Sequence, residues 1–206
     1  MTMLDTHVSL AHGNGGRYMR ELIHEIFARH LGNPLLDTNS DAAVLPWDAG
    51  AGELVFTTDS FTVQPIEFPG GNIGSLAVHG TTNDLAVAGA IPKYLSLGVI
   101  LEEGLDFAVL ERVVAGIAAA ANEIGVVVAA GDTKVVRRGE GSAIYLNTSG
   151  IGVKEPALVL GIDRIRAGDV VLVSGSVGDH GIAVMLAREQ FGLRGDLKSD
   201  AASVLP

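Results

Sequence analysis

The sequence predicts an α+β fold in two unequal parts, residues 1–154 and residues 155–206. Residues 107–124 place apolar side chains at a 3.6-residue period, which indicates a helix with one buried face. Residues 53–63 alternate around β-branched and aromatic side chains, which indicates a strand. After residue 154 the sequence becomes rich in glycine and charged residues, and it supplies only one more strand and one more helix. We therefore place a domain boundary near residue 155.

The remaining elements are assigned by the same periodicities. A glycine-rich loop leads into an amphipathic helix at 16–31, and a helix at 74–90 is rich in small side chains, which indicates tight packing or the close approach of a ligand. Further strands are predicted at 95–101, 126–130, 142–153 and 170–173, and a last helix at 179–191. Because the second part is too small to enclose its own core, we expect the chain to be a piece of a longer protein.

Composition excludes several classes of protein. With 48% hydrophobic and 18% charged residues, the 206-residue chain can bury a core. It has no apolar run of the roughly 20 residues that span a bilayer and no basic-then-apolar leader, so we expect a cytoplasmic location and no membrane partner. A net charge of −10 gives no basic footprint for nucleic acid. The chain has no cysteine, which excludes disulfides and thiol chemistry within it.

Three aspartates stand beside small or hydroxyl-bearing residues in separate motifs: Asp41, Asp59 and Asp84. Each alone is more typical of a helix cap or a turn than of a metal ligand. Together they suit Mg²⁺, which takes a few carboxylate oxygens, keeps water and lets phosphate oxygens fill its remaining positions. A carboxylate within an apolar strand, as predicted for Asp59, needs a metal or a donor to offset its desolvation. We predict that the three aspartates bind Mg²⁺ with ATP.

The glycine-rich loop contributes Gly13, Asn14, Gly15 and Gly16 just before a helix. Backbone amides at such a position can approach a phosphate, and the helix dipole favours the anion. The alternative is a flexible N-terminal lead. Asn83 is a further candidate for nucleotide binding, because its amide can donate to phosphate and also accept from a substrate amide.

Asp132, Thr133 and Lys134 follow the predicted strand 126–130. A lysine at the end of a strand can contact phosphate or, when buried, transfer a proton, whereas the alternative is a solvated loop lysine. Asp132 would orient Lys134 or contribute to the metal site. His79 is read either as an ordinary core histidine or as a ligand contact.

Six motifs occur together in one order, and they support a family resemblance. They are His12–Arg17, Asp41–Val44, Thr57–Ser60, Asn83–Leu85, Gly131–Lys134 and Gly178–Gly181. With these motifs the chain resembles the aminoimidazole ribonucleotide synthetase-like ATP enzymes. Within that superfamily, Gly131–Lys134 and Ser176–Gly181 resemble the versions found in the HypE family of hydrogenase-maturation carbamoyl dehydratases.

The resemblance implies an N-terminal α+β domain whose mixed sheet pairs with that of a second copy to form a barrel-like dimer core. A C-terminal α/β domain follows, and ATP lies near the dimer interface. The same resemblance implies Lys134, Asp132 and Asp84 as catalytic candidates and includes Thr133 among the ATP-binding residues. It also implies two further partners, the carbamoyltransferase HypF and the HypC–HypD complex.

The implied reaction is the ATP-dependent dehydration of a thiocarbamate on a C-terminal cysteine to a thiocyanate, which supplies cyanide ligands to nickel-iron hydrogenase. The chain departs from this pattern because it has no cysteine, so we expect residues 1–206 alone to be inactive. Two other classes stay open. One is another ATP enzyme of the superfamily, such as a small-molecule kinase or a selenophosphate synthetase-like enzyme, and the other is a non-catalytic ATP-binding scaffold.

Overall fold

A computed structural model of the chain describes residues 6–39, 45, 48, 50, 52–188 and 195–205. Its strands are β1 (Glu53–Phe61), β2 (Glu67–Phe68), β3 (Gly71–Asn72), β4 (Ala90–Glu102), β5 (Val127–Val136) and β6 (Ile144–Lys154). Its α-helices are α1 (Arg17–Leu22), α2 (Arg29–Leu31), α3 (Ile73–Val87), α4 (Phe107–Ile124) and α5 (Asp179–Ala187). A π-helical turn, Ile23–Ala28, joins α1 to α2, so residues 17–31 form one continuous helical segment.

Four strands form the main sheet, in the order β1-β6-β4-β5. Strand β6 pairs antiparallel with both β1 and β4, whereas β4 and β5 are parallel and are connected through α4. The sheet is therefore mixed, and together with the helices it confirms the predicted α+β class. Strands β1 and β5 form its two opposite edges.

Helices cover one face of this sheet, which we call the inner face. Strand β6 shows the alternation clearly, because Leu146 and Thr148 are buried under the helices while Asn147 between them is exposed. The opposite, outer face carries large exposed apolar side chains. They are Leu54, Phe56, Ile91 and Ile100, which are 42–64% exposed.

Helix α4 begins and ends as the sequence predicts, at residues 107 and 124. Asp106 caps its first turn by accepting a hydrogen bond from the Ala108 amide, and Gly125 ends it in the left-handed conformation at φ 77°. Its apolar stripe, which includes Leu110, Val113 and Ile117, is buried against the sheet and α3. The packing confirms the predicted core role of this helix.

Helix α3 packs against both α4 and β1 through glycines. A Cβ atom on Gly74 would overlap the carbonyl oxygen of Val113 and lie 2.8 Å from Cγ1 of Ile117. A Cβ atom on Gly80 would lie 2.6 Å from the ring of Phe61 on β1. The small residues of the predicted helix 74–90 thus serve close packing on two sides.

Strand β5 is longer than the predicted strand 126–130. Residues 131–134 belong to it because Leu97–Ile100 of β4 pair with Gly131–Lys134 in parallel register. The prediction that this motif follows the strand is therefore wrong. Sequence alone does not reveal how far a neighbouring strand extends, and here β4 supplies ladder partners for six residues beyond Ala130.

The main sheet ends at Lys154, and the region beyond it differs from the prediction. Val170–Val173 form no strand and are 67–88% exposed. The predicted strand 170–173 is wrong for the described residues, because an apolar run forms a strand only where another strand supplies hydrogen-bond partners. Helix α5 is described to Ala187. The division at residue 155 stays a prediction.

Candidate functional site

Two of the predicted metal ligands lie together where α3 crosses β1. The Thr57 hydroxyl donates a hydrogen bond to Oδ2 of Asp84 at 3.2 Å. Asp59, two residues along the same face of β1, lies beside Gly80, since its Oδ2 is 3.8 Å from the position that a Cβ on Gly80 would occupy. Gly80 and Asp84 are one helical turn apart on α3, so both carboxylates are presented at one junction of strand and helix.

Both of these aspartates are exposed. Oδ1 of Asp59 accepts a hydrogen bond from the Ser60 amide at 2.7 Å, which fixes its orientation. The prediction that Asp59 lies in an apolar strand and needs a metal to offset desolvation is therefore wrong, because β1 is an edge strand and leaves this side chain accessible to solvent. Because Asp59 is exposed, there is room beside it for a ligand, such as a nucleotide, that brings its own cation.

The carboxylates fit one mode of magnesium binding. Asp41 lies outside the described residues, and the described residues contain no cluster of three histidine, cysteine or acidic side chains arranged to hold a metal. Mg²⁺ usually binds through one or two carboxylates, with waters and substrate phosphates completing its octahedron. Asp59 and Asp84 fit that use, whereas they do not form a cage that would hold the ion without a nucleotide.

Asn83 is engaged by the chain itself. Its Nδ2 donates to the carbonyl of Ala202 at 2.9 Å, and its Oδ1 accepts from the amide of Val204 at 3.0 Å. Both halves of the side-chain amide are thus paired with the backbone of residues 202–204. A nucleotide that contacts Asn83, as the sequence predicts, would have to share this side chain with residues 202–204 or displace them.

Asp132 and Lys134 lie on the outer face of β5. Lys134 Nζ lies 3.2 Å from Oδ2 of Asp132, and the two side chains are 63% and 65% exposed. Oδ1 of Asp132 also accepts from the Thr133 amide at 2.9 Å, while the side chain of Thr133 is buried on the inner face. The structure thus pairs Asp132 with Lys134, but it does not bury the lysine as a role in proton transfer would require.

The glycine-rich loop lies beside the same edge of the sheet. A Cβ on Gly13 would be 2.9 Å from Cβ of Val135 on β5, so only glycine fits this contact. Asn14, Gly15 and Gly16 are exposed between this contact and the start of α1, and Gly15 has a φ of 74°. The loop is therefore anchored to β5 at Val135 through Gly13.

Within a single copy of the chain, the predicted site residues lie in two separate groups. Asp59 and Asp84 lie at the β1 edge on the inner face, whereas Asp132 and Lys134 lie at the β5 edge on the outer face. Three strand spacings of about 4.8 Å place these edges about 14 Å apart. On the outer face an open groove of about 350 Å³ crosses the strands between them, from Ser60 past Asn147 to Asp132 and Lys134.

Two buried histidines have different environments. His12 is 1% exposed, receives hydrogen bonds from Ser9 at Nδ1 and packs edge-on against Tyr18 and Phe107, so it is a core residue. His79 is 6% exposed, and its Nδ1 has no hydrogen-bond partner among the described residues. Burial lowers the pKa of His79, while the charge of Glu123 acts in the opposite direction. Burial thus favours the neutral form of the His79 ring.

The start of α5 is held by a carboxylate from later in the chain. Asp200 accepts hydrogen bonds from the amides of His180 at 2.7 Å, Gly178 at 3.2 Å and Asp179 at 3.3 Å. These bonds lower the pKa of Asp200, and the bond from the His180 amide has the largest effect. The helix begins at Asp179, with Gly178 as its N-cap residue.

Sequence reading missed the Thr57 hydroxyl as a partner of Asp84. The signal was present, since Thr57 is two residues before Asp59 in an alternating strand and must share its face. What the sequence did not reveal was that α3 brings Asp84 to that face.

Comparisons with known proteins agree with this architecture. Residues 39–154 match the family model of the AIR synthase related protein, N-terminal domain. Carbamoyl dehydratase HypE of Azotobacter vinelandii is 50% identical over 197 residues, which are 96% of this chain and 57% of that protein. The crystal structure of hydrogenase maturation protein HypE in complex with ATP is 51% identical with a TM-score of 0.86, over 94% of this chain and 57% of that one.

A third similarity is to the crystal structure of a HypE–HypF complex, with 46% identity and a TM-score of 0.71 over 89% of this chain and 58% of that one. The chain thus spans little more than half the length of the relatives it matches. No helix among the residues that the structure describes is both long and apolar enough to cross a membrane. By its matched domain, its α+β fold and its relatives, the chain belongs to the AIR synthase related protein family, in which the relatives described above are HypE hydrogenase maturation proteins.

Proposed function

We propose that this chain forms the nucleotide-binding part of an ATP-dependent carbamoyl dehydratase that acts in nickel-iron hydrogenase maturation. The observation that carries the proposal is the 50% identity to a carbamoyl dehydratase, HypE, over 96% of the chain. A HypE structure that contains ATP and has the same fold supports the nucleotide. Because the chain covers only 57% of that relative, the activity is proposed for the natural protein in its full length.

The proposed reaction removes the oxygen of a thiocarbamate. Hydroxide leaves an amide carbon poorly, so the γ-phosphoryl group of ATP is first transferred to the amide oxygen, with release of ADP. Loss of that oxygen as phosphate and of both protons from the amide nitrogen then leaves a thiocyanate. The sum is loss of one water from the thiocarbamate and hydrolysis of one ATP, with no oxidation or reduction.

Two groups of residues are proposed to contact the nucleotide phosphates, and because they lie about 14 Å apart in one chain, they would come from different copies in a dimer. Asp84 and Asp59, with Asp41, would hold the nucleotide's Mg²⁺, which when bound neutralises phosphate charge. The amides of Gly13, Asn14, Gly15 and Gly16 would contact phosphate oxygens.

The ATP-binding and catalytic roles of the other predicted residues also belong to the proposal. Thr133 and Asn83 would complete the nucleotide site, and Lys134, oriented by Asp132, would stabilise charge on the transferred group. For Lys134 to serve also in proton transfer, it must lose the 63% exposure of its side chain. A closed complex that covers the outer face would provide that burial.

We also propose that the active unit is a dimer joined through the outer faces of two sheets. The exposed Leu54, Phe56, Ile91 and Ile100 support this interface, because apolar side chains clustered on one sheet face favour association.

Phe56→Glu is expected to weaken the dimer by about 100-fold, since it places a charge in an apolar interface. Sedimentation velocity measures the shift, and Ile162→Glu, at an 89% exposed residue outside the sheet, is the control. A wild-type protein that stays monomeric contradicts the dimer.

Partners follow from the relatives. The HypE–HypF complex supports HypF as a partner. We propose HypF as the donor of the carbamoyl group and the HypC–HypD complex as the acceptor of cyanide. The chain contains no cysteine, so the proposal requires an acceptor cysteine outside residues 1–206.

Intact-mass spectrometry of the full-length natural protein, carbamoylated by HypF, tests the function before and after addition of Mg-ATP. Loss of the mass of one water from a C-terminal cysteine is the expected result. An unchanged mass with consumption of ATP would indicate a diffusible substrate, as in a kinase or a selenophosphate synthetase-like enzyme. An unchanged mass without consumption of ATP would indicate a scaffold.

A further inference from the structure

The hydroxyl of Thr57 connects the edge strand β1 to helix α3 at Asp84. Its Oγ1 donates to Oδ2 of Asp84 over 3.2 Å. Thr57 is half-buried while Asp84 is exposed, so the donor has the more fixed position of the two. A hydrogen bond from a hydroxyl to an ionised carboxylate is shorter and stronger than a neutral one when fully formed.

Thr57 has little freedom to point elsewhere. Thr57 and Phe61 share the inner face of β1, and the Phe61 ring fills the space beside Gly80. Threonine is branched at Cβ, so its χ1 angle is restricted. Its strand partner is Gly150, and a Cβ there would lie 2.9 Å from Thr81 and 3.0 Å from Leu85, so α3 packs closely against the inner face at this level. The hydroxyl is therefore presented to α3 by the strand itself.

Asp84 needs such a partner more than Asp59 does. Asp59 already accepts the amide of its neighbour Ser60, which limits its rotamers. The exposed carboxylate of Asp84 is restrained in the described residues by Thr57, and bonding at Oδ2 leaves Oδ1 directed away from the donor. One oxygen is held and the other is free to bind a cation.

We propose that Thr57 is a positioning residue that orients the Asp84 carboxylate toward the divalent cation of the bound nucleotide. This inference rests on the proposed function. Groups that orient a metal ligand in this way contribute about 10- to 100-fold to metal affinity. The competing interpretation is that the hydroxyl only ties β1 to α3, in which case its loss lowers stability but leaves the cation dependence of ATP binding unchanged.

The experiment measures ATP binding by titration calorimetry in the full-length protein over a range of Mg²⁺ concentrations and again with the metal chelated. Thr57→Val keeps the shape of the side chain and removes the donor, and Thr57→Ser keeps the donor. Thr82→Val is the matched control, because that buried hydroxyl on α3 donates only to the helix carbonyls of Val78 and His79. Thermal unfolding of each variant records stability separately.

We expect Thr57→Val to raise the Mg²⁺ concentration at half-maximal binding by about 10-fold, with ATP binding in chelator unchanged. Thr57→Ser restores the wild-type midpoint, and Thr82→Val does not shift it. An unshifted midpoint in Thr57→Val, in a wild-type protein that does show Mg²⁺-dependent binding, overturns the positioning role alone. If the wild type binds no ATP at any Mg²⁺ concentration, the proposed function fails and the role of Thr57 fails with it.

Discussion

Asp84→Asn is expected to weaken Mg-ATP binding by about 100-fold, which corresponds to about 2.7 kcal/mol. Asparagine has the same shape and still accepts the Thr57 hydrogen bond, but it lacks the charge that a hard cation requires. Because Asp84 is exposed, the free energy of unfolding should change by less than about 0.5 kcal/mol. Titration calorimetry with Mg-ATP measures the affinity, and urea unfolding measures the stability.

Two comparisons make this result specific. Asp169→Asn removes an equal charge from an exposed turn, where the carboxylate accepts the Arg166 amide, and it should leave affinity unchanged. With Mg²⁺ chelated, Asp84→Asn should bind ATP no more weakly than the wild type, because a carboxylate without its cation repels phosphate. Equal weakening with and without Mg²⁺ would contradict a role for Asp84 in cation binding.

Gly74→Ala is expected to destabilise the protein by about 3 kcal/mol. The new methyl group would overlap the carbonyl oxygen of Val113 and press on Ile117, and a backbone atom within α4 cannot move aside as a flexible side chain can. Alanine gains about 1 kcal/mol over glycine in helix propensity, which does not offset the overlap. Urea unfolding measures the loss.

The matched control for this change is Gly181→Ala in α5, where an added Cβ meets no atom within 4 Å. There the same substitution should be neutral or stabilising by up to about 1 kcal/mol. Since α3 carries Asp84, Gly74→Ala should also weaken Mg-ATP binding in molecules that remain folded. Wild-type stability in Gly74→Ala would show that α3 and α4 are further apart than described.

The sequence predicted the elements whose pattern is local. Helix α4 has a regular apolar stripe, an aspartate before it and a glycine after it, and its bounds were predicted to the residue. The run Val170–Val173 was predicted as a strand from the same kind of local pattern, but no strand pairs with it among the described residues. Local periodicity determines which face of an element is apolar, whereas strand formation depends on a partner elsewhere in the chain.

The candidate site shows the same limit. The motifs in the sequence assigned Asp59, Asp84 and Lys134 to one nucleotide site. The structure places these residues at opposite edges of the sheet. Strand order could not be read from these residues, because β6, last of the four in the sequence, inserts between β1 and β4. The exposure of Asp59 also depends on β1 being an edge strand, which no neighbouring residue reveals.

Asn83 and Asp84 are consecutive on α3 but hold different parts of the molecule. Asn83 binds the backbone of residues 202–204, while Asp84 receives the Thr57 hydroxyl. Suppose that a cation bound at Asp84 shifts this helical turn and weakens the attachment of residues 202–204. Because thermodynamic linkage is reciprocal, the attachment of residues 202–204 must then weaken cation binding by the same factor. A single peptide unit is thus where nucleotide occupancy and the attachment of residues 202–204 can influence each other.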